Sequence, residues 1–166
     1  MFHKILVAID HSDSTPIIFS QALALAKTNQ AELMIFHALA PFDEVYPSDP
    51  YVGIPQSITQ SYLKRWQERE QAGIEKLRSL KEQADKAGIS TEFSQNIGDP
   101  GKVICTLAKT WNADLIVIGR RGLSGFREFW LGSVSNYVLH HAPCHVLTIQ
   151  GIAQTQEQPA TVGSVS

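Results

Sequence analysis

The chain is expected to fold as a single α/β domain on a doubly wound parallel sheet, and three observations predict it. Residues 4–9 (KILVAI), 33–39 (LMIFHAL), 115–118 (LIVI) and 145–149 (HVLTI) are short apolar runs with little alternation, the pattern of strands covered on both faces. Segments with apolar residues three and four apart separate them, and alternating strands and helices close into a parallel sheet through right-handed crossovers. A length of 166 residues, 43% of them hydrophobic, suits one core.

Each element follows in order. The first strand, 4–9, ends at Asp10. Thr15 is placed to cap a helix whose first residue is Pro16, a position where the missing N–H costs nothing. Ile18, Ala22, Leu25 and Ala26 give that helix an apolar face, and it should end near Asn29. The second strand, 33–39, is followed by a connection from Pro41 to Pro55 with no periodicity, long enough to suggest a functional loop. A long helix over 57–87 carries Trp66, Gly73, Leu77, Leu80, Ala84 and Ala87 on one stripe and stops at Gly88. Residues 90–97 are the third strand. Gly98-Asp99-Pro100 turns the chain into a helix carrying Val103, Ile104, Leu107 and Ala108. The fourth strand ends at Gly119, Gly132-Ser133 opens a last helix through His141, and Ala142-Pro143 breaks it before the final strand. The domain is read as residues 1–150, and the polar tail 151–166 is expected to be disordered.

Composition excludes several classes. A net charge of -2 and a pI near 6.3 give no global positive field for a nucleic-acid backbone. The N-terminus has neither a cleavage site nor the ~20 apolar residues of a membrane span, so no membrane partner and a cytoplasmic location are expected. Cys105 and Cys144 read as buried free thiols, since their spacing suits neither a disulfide framework nor a metal site.

In a doubly wound sheet a ligand sits outside the carboxyl ends of the strands, which directs attention to Asp10, Ala38-Leu39, Ile97-Gly98 and Gly119. The segment from Gly119 through Gly122 to Gly132-Ser133 leaves a buried strand and enters a helix, the context in which glycine loops cradle phosphates. Glycine lets phosphate oxygens approach the backbone, and the N–H groups at Gly132, Ser133 and Val134 add the positive end of a helix dipole. Arg120, Arg121 and Arg127 face a single acid there, Glu128. The alternative is a tight surface loop with solvated arginines. Asp10 reads either as a carboxylate capping the following helix or as a ligand contact, and the two roles are compatible.

The spacing Gly-x2-Gly-x9-Gly-Ser, filled by Gly119, Gly122, Gly132 and Ser133, resembles the signature of the ATP-binding branch of the universal stress proteins. KILVAID, LMIFHAL, Gly98-Asp99-Pro100 and APCHVLTI extend the resemblance over roughly residues 2 to 150. It implies an adenine nucleotide alpha hydrolase-like fold with five strands in the order 3-2-1-4-5, a homodimer, and ATP or another adenine nucleotide between strands 1 and 4, with accompanying Mg2+ left open. The final strand, HVLTI, would leave an exposed apolar edge in a monomer, so the dimer is expected to pair through it. Carried over, Ala8 lines the cleft, Asp10 reaches the nucleotide and Ala38 offers backbone to the adenine. Ile118 and Gly119 border the ligand, Gly122 gives backbone to the phosphates, and Gly132, Ser133, Val134 and Ser135 receive the phosphate chain. Position 8 is Ala where some members have Pro. The paired Arg120-Arg121 adds positive charge beside the phosphates.

His140, His141 and His145 are separated by a helix end, a proline and a strand, so a shared metal is not expected. His37 reads as a packed, hydrogen-bonded strand residue. No serine sits in a nucleophile elbow, and no glycine loop ends in Lys-Ser/Thr. Without that lysine or a dedicated base, fast phosphoryl transfer lacks its parts. The leading expectation is an ATP-binding stress-response sensor or regulator with an unidentified protein partner. A weak ATPase or nucleotide hydrolase and a dimeric interaction module without nucleotide are the alternatives.

Overall fold

The computed structural model describes residues 1–39, 41, 56–120 and 132–150, with side chains from residue 60 onward in the long helix. Five strands and four helices alternate among them: β1 (Lys4–Ile9), α1 (Thr15–Asn29), β2 (Glu32–Leu39), α2 (Gln56–Lys86), β3 (Thr91–Ile97), α3 (Pro100–Trp111), β4 (Leu115–Gly119), α4 (Ser133–His141) and β5 (His145–Ile149). The sheet has the expected order β3-β2-β1-β4-β5, and every neighbouring pair is parallel.

The apolar runs are continuous because each central strand is covered twice. Ile5, Val7, Ile9, Leu33 and Ile35 pack with Ile18, Phe19, Ala22 and Ala26 of α1 and with Leu77, Leu80 and Ala84 of α2. The intervening Leu6, Ala8, Met34, Phe36, Ile116 and Ile118 point to the other face, against Ile104 and Ala108 of α3 and Val138 of α4. Full burial of each large side chain stabilises the fold by about 1.5 to 3 kcal/mol. β3 and β5 are the sheet edges, and both are only partly covered, with Thr91 the one buried residue between them.

Helix ends follow local chemistry. α1 and α3 stop on left-handed residues, Gln30 at φ 55° and Asn112 at φ 57°. The next residue, Ala31 or Ala113, then bonds back to Ala26 or Ala108 at 2.9 and 2.8 Å. Gly88 takes φ 78° after α2, as its position predicts, and Ile89 N–H closes on Ala84 O at 3.1 Å. Asp99 caps α3, its carboxylate accepting from Lys102 N–H at 3.0 Å.

One local reading is corrected. Thr15 is not the cap of α1 but its first residue, preceded by Ser14, and no side chain caps that end. Its hydroxyl donates to Asp10 O at 2.8 Å instead, because the chain doubles back between the end of β1 and the helix. Among the described residues no helix is long and apolar enough to cross a membrane.

Candidate functional site

The helices that follow β1 and β4 cover opposite faces of the sheet. These two strands are neighbours, paired Ala8 to Ile118, so the chain departs from them in opposite directions and leaves a crevice above their carboxyl ends. Ala8 and Ile118 form its floor and are nearly closed to solvent, at 8% and 6% exposure. Asp10 and Gly119 stand on the two sides, half-buried. Ala38, also half-buried, lies one strand further along, beside Asn96 of β3.

The start of α4 is brought to the same place by backbone. Gly132 N–H donates to Arg120 O at 2.9 Å, tying the helix start to the end of β4. Gly132 precedes the helix in an extended conformation, φ -56° and ψ 151°, and among the described residues no side chain caps the first turn. The N–H groups of that turn and the helix dipole therefore remain available to an anion. Ser133 is exposed and Val134 half-buried. Ser135 is 2% exposed, and its hydroxyl donates inward, 3.1 Å from Arg120 O and 3.0 Å from Gly132 O. It clasps strand end to helix start. Arg120 places its guanidinium on Gln150 Oε1 at 2.7 Å, on the β5 side of β4. Arg121, Gly122, the aromatic residues 126, 129 and 130, the connection 42–55 and the tail 151–166 lie outside the described residues.

Asp10 is held from several directions. Its Oδ1 accepts from Ser12 N–H at 2.9 Å, from the Ser12 hydroxyl, and from the Thr15 hydroxyl at 3.3 Å. Its backbone carbonyl accepts from Thr15 and, at 3.0 Å, from Lys76 Nζ of α2. The carboxylate thus organises the entry to α1, while Oδ2 carries no hydrogen bond among the described residues. The helix-entry role expected of this side chain is thus present.

Beside Asp10 the His11 ring meets His37 edge-on, with centroids 4.8 Å apart. His37 is buried and bonds through Nδ1 to Gln95 Oε1 at 2.9 Å, and Gln95 Nε2 donates to Glu70 O at 3.0 Å. The sequence reading of His37 as a packed, bonded residue agrees with this. Burial pushes the pKa of both imidazoles down; the charge of Lys76 adds to that, and Asp10 opposes it. Both rings therefore favour the neutral form.

Lys76 and Gln95 are the members of this cluster that sequence reasoning missed, and Thr15 was read only as a helix cap. Lys76 sits in a run of charged helix residues with nothing to single it out, and its partner lies 66 positions away. Gly73 was the available signal, a glycine on the apolar stripe of a long helix, where close approach is the usual reason for it.

The remaining titratable groups do not converge. Among the described residues no three of His, Cys, Asp or Glu could hold a metal. His141 instead stacks on Tyr137, with centroids 4.0 Å apart. Cys105 and Cys144 are free and half-buried; burial pushes both thiols up, and for Cys144 the charge of Asp114 adds to it.

A five-stranded parallel sheet with helices on both faces defines an α/β domain of the doubly wound class. A sequence profile of the universal stress protein family matches residues 1–150. The chain is 38% identical over 156 residues to universal stress protein Sll1388 of Synechocystis sp., spanning 90% of this chain and 98% of that protein. It is 36% identical over 150 residues to universal stress protein YxiE of Bacillus subtilis, 90% of this chain and all of that one. Among solved structures, universal stress protein UspA from Lactobacillus plantarum superposes with a TM-score of 0.71 at 24% identity, over 89% of this chain and 97% of the other. An Arabidopsis thaliana member with AMP bound gives 0.62 at 25% identity, over 91% and 93%. A universal stress protein in complex with cAMP gives 0.60 at 25%, over 90% and 97%. The chain belongs to the universal stress protein family.

Proposed function

We propose that the protein binds an adenine nucleotide, with ATP the first ligand to test, and that occupancy of the site regulates its part in a stress response in the cytoplasm. The observation that carries this reading is the uncapped start of α4, delivered to the switch point by the Gly132–Arg120 bond. An anion there gains backbone N–H groups without displacing a capping side chain. AMP and cAMP in complexes of two family members support the adenine class.

Ala8, Asp10, Ala38 and Ile118 face the nucleoside in this reading. Gly119, Gly122, Gly132, Ser133 and Val134 receive the phosphates, with Arg121 beside them. Ser135 contributes through its clasp on Arg120 and Gly132, and Arg120 through exchange of Gln150 for phosphate. A Mg2+ ion, where one accompanies the phosphates, would draw its ligands mainly from them and from water. The universal stress protein domain is taken as residues 1–150, the span that the family profile matches.

Calorimetry with ATP, AMP and cAMP tests the reading. Wild type should bind at least one, and Ser133→Ala and Gly122→Val should weaken it by at least about tenfold, the loss of one charge-assisted contact. Equal binding by both variants, or none by wild type, overturns it. Product accumulating beyond one equivalent of protein would make the chain a hydrolase.

We also propose a homodimer through β5. This edge strand exposes Leu147 at 36%, and α4 beside it exposes Leu139 at 43%; pairing with a second copy would remove an open edge. Sedimentation of wild type and Leu147→Lys tests it, with a monomeric wild type the opposing result.

A further inference from the structure

The glycine motif accounts for one wall of the crevice. The opposite wall is anchored by contacts that no motif names. Lys76 Nζ, half-buried on α2, donates to the backbone carbonyl of Asp10 at 3.0 Å. The same peptide carbonyl takes the Thr15 hydroxyl, so both of its acceptor positions are used and its orientation is set from two helices. The direction of the Asp10 side chain follows from the orientation of its own backbone.

How deeply α2 sits decides whether Lys76 reaches. The helix approaches the sheet most closely at Gly73, where a Cβ would lie 2.0 Å from Gln95 Oε1 and 2.9 Å from His37 Nδ1. Under it, His37 and Gln95 join β2 to β3 at 2.9 Å, and Gln95 reaches up to Glu70 O at 3.0 Å. Two hydrogen bonds, at Glu70 and Lys76, and the close approach at Gly73 thus hold this stretch of α2 against the ends of β1, β2 and β3.

We propose that Lys76 is a positioning residue of the nucleotide site, holding Asp10 in its ligand-facing orientation while Gly73, His37 and Gln95 set the depth of α2. The proposal rests on the adenine-nucleotide reading above. Lys76 touches Asp10, not the ligand.

The surroundings supply a signature that a merely structural lysine would lack. The charged and titratable groups facing the histidine pair are Asp10 at the end of β1 and Lys76 and Arg69 on α2. For His11 burial is the largest influence, followed by the charge of His37 and then of Lys76, all acting against protonation, with Asp10 opposing. For His37 burial again leads, the Gln95 hydrogen bond opposes it, and Lys76 and Arg69 act against protonation while Asp10 favours it. Acidification places imidazolium charge beside the Lys76 ammonium, in a cluster with one carboxylate. Like charges within one cluster repel, and α2 should loosen from Asp10. Nucleotide affinity should therefore decline as pH falls through the histidine range.

Calorimetry with ATP on the full chain, at about pH 7.5 and about pH 5.5, tests this alongside thermal melting. Lys76→Met should weaken ATP by about tenfold at the higher pH, and Lys76→Arg should recover most of the loss. Wild-type affinity should drop at the lower pH, and His37→Asn, which keeps a partner for Gln95 but does not titrate, should flatten the drop. Backbone hydrogen exchange at residues 10–15 should quicken in Lys76→Met without general unfolding. Wild-type affinity in Lys76→Met, with Ser133→Ala still weakened, overturns the positioning role and leaves the nucleotide reading intact. A wild type that binds none of ATP, AMP and cAMP overturns both. A Lys76→Met that loses affinity equally with Lys76→Arg and keeps the wild-type pH drop also counts against the proposal.

Discussion

Gly73→Ala sets two physical effects of opposite sign against each other. In an exposed helix, replacing glycine by alanine stabilises by about 1 kcal/mol. At this position the new methyl would stand 2.0 Å from Gln95 Oε1, so the Gln95 amide must leave or α2 must rise. If the amide leaves, His37 Nδ1 loses its 2.9 Å partner and Glu70 O its 3.0 Å donor. An unsatisfied buried imidazole nitrogen costs about 1 to 3 kcal/mol, and the second bond adds about 1 kcal/mol. Set against the propensity gain, the net loss is about 2 kcal/mol, a fall in Tm of about 4 to 8 °C for a domain of this size. Denaturant and thermal unfolding of the two proteins measure it. A variant that melts at or above wild type would refute the reasoning, because propensity would then govern and the close approach would be free to relax.

Gly101→Ala should also destabilise, by about 1 to 3 kcal/mol, since its Cβ would lie 2.7 Å from the Tyr137 ring; chemical denaturation reads the loss, and no change would mean that α3 and α4 slide apart at little cost. Asp99→Ala removes the cap on Lys102 N–H and should cost about 1 kcal/mol in the same assay. Stability should decline on acidification through the histidine range. The folded-state pKa of His37 lies below its ordinary value of 6.5, so between the two the unfolded chain holds more protons; above 6.5 there is no penalty, and the penalty grows as pH falls to the folded value. Melting temperatures across that range should drop less steeply in His37→Asn than in wild type. Cys105 and Cys144, their thiols pushed up by burial, should react with iodoacetamide more slowly at neutral pH than a free thiol does, and faster once the protein is unfolded.

The fold was legible because double coverage of a parallel strand writes itself as an unbroken apolar run: residues 4–9 and 115–118 could hardly be half-exposed strands. Strand order came from the family resemblance, not from the runs themselves, since a run of apolar residues says nothing about which neighbour it pairs with. Boundaries moved by a residue or so where backbone bonds outlast the apolar pattern, as at Glu32, whose N–H reaches His3 O at 2.9 Å. Thr15 was misplaced because Thr before Pro is a common helix entry, and nothing local announces that Asp10 competes for its hydroxyl. On the site, spacing directed attention to Gly119 and Gly132, which the fold brings close together through Arg120, whereas nothing in the spacing pointed to α2. Lys76, His37 and Gln95 come from three elements, and only the packing of α2 at Gly73 makes them neighbours.

The bond between Gly132 N–H and Arg120 O, 2.9 Å long, has an evolutionary consequence. The Ser135 hydroxyl bonds both Arg120 O and Gly132 O and so holds the end of β4 against the start of α4. Chain that joins two points fixed in this way can change in length while the sheet stays in register, since doubling a loop costs only about 0.6 kcal/mol in closure entropy. Ser135, which is part of the fixed junction, cannot change so freely.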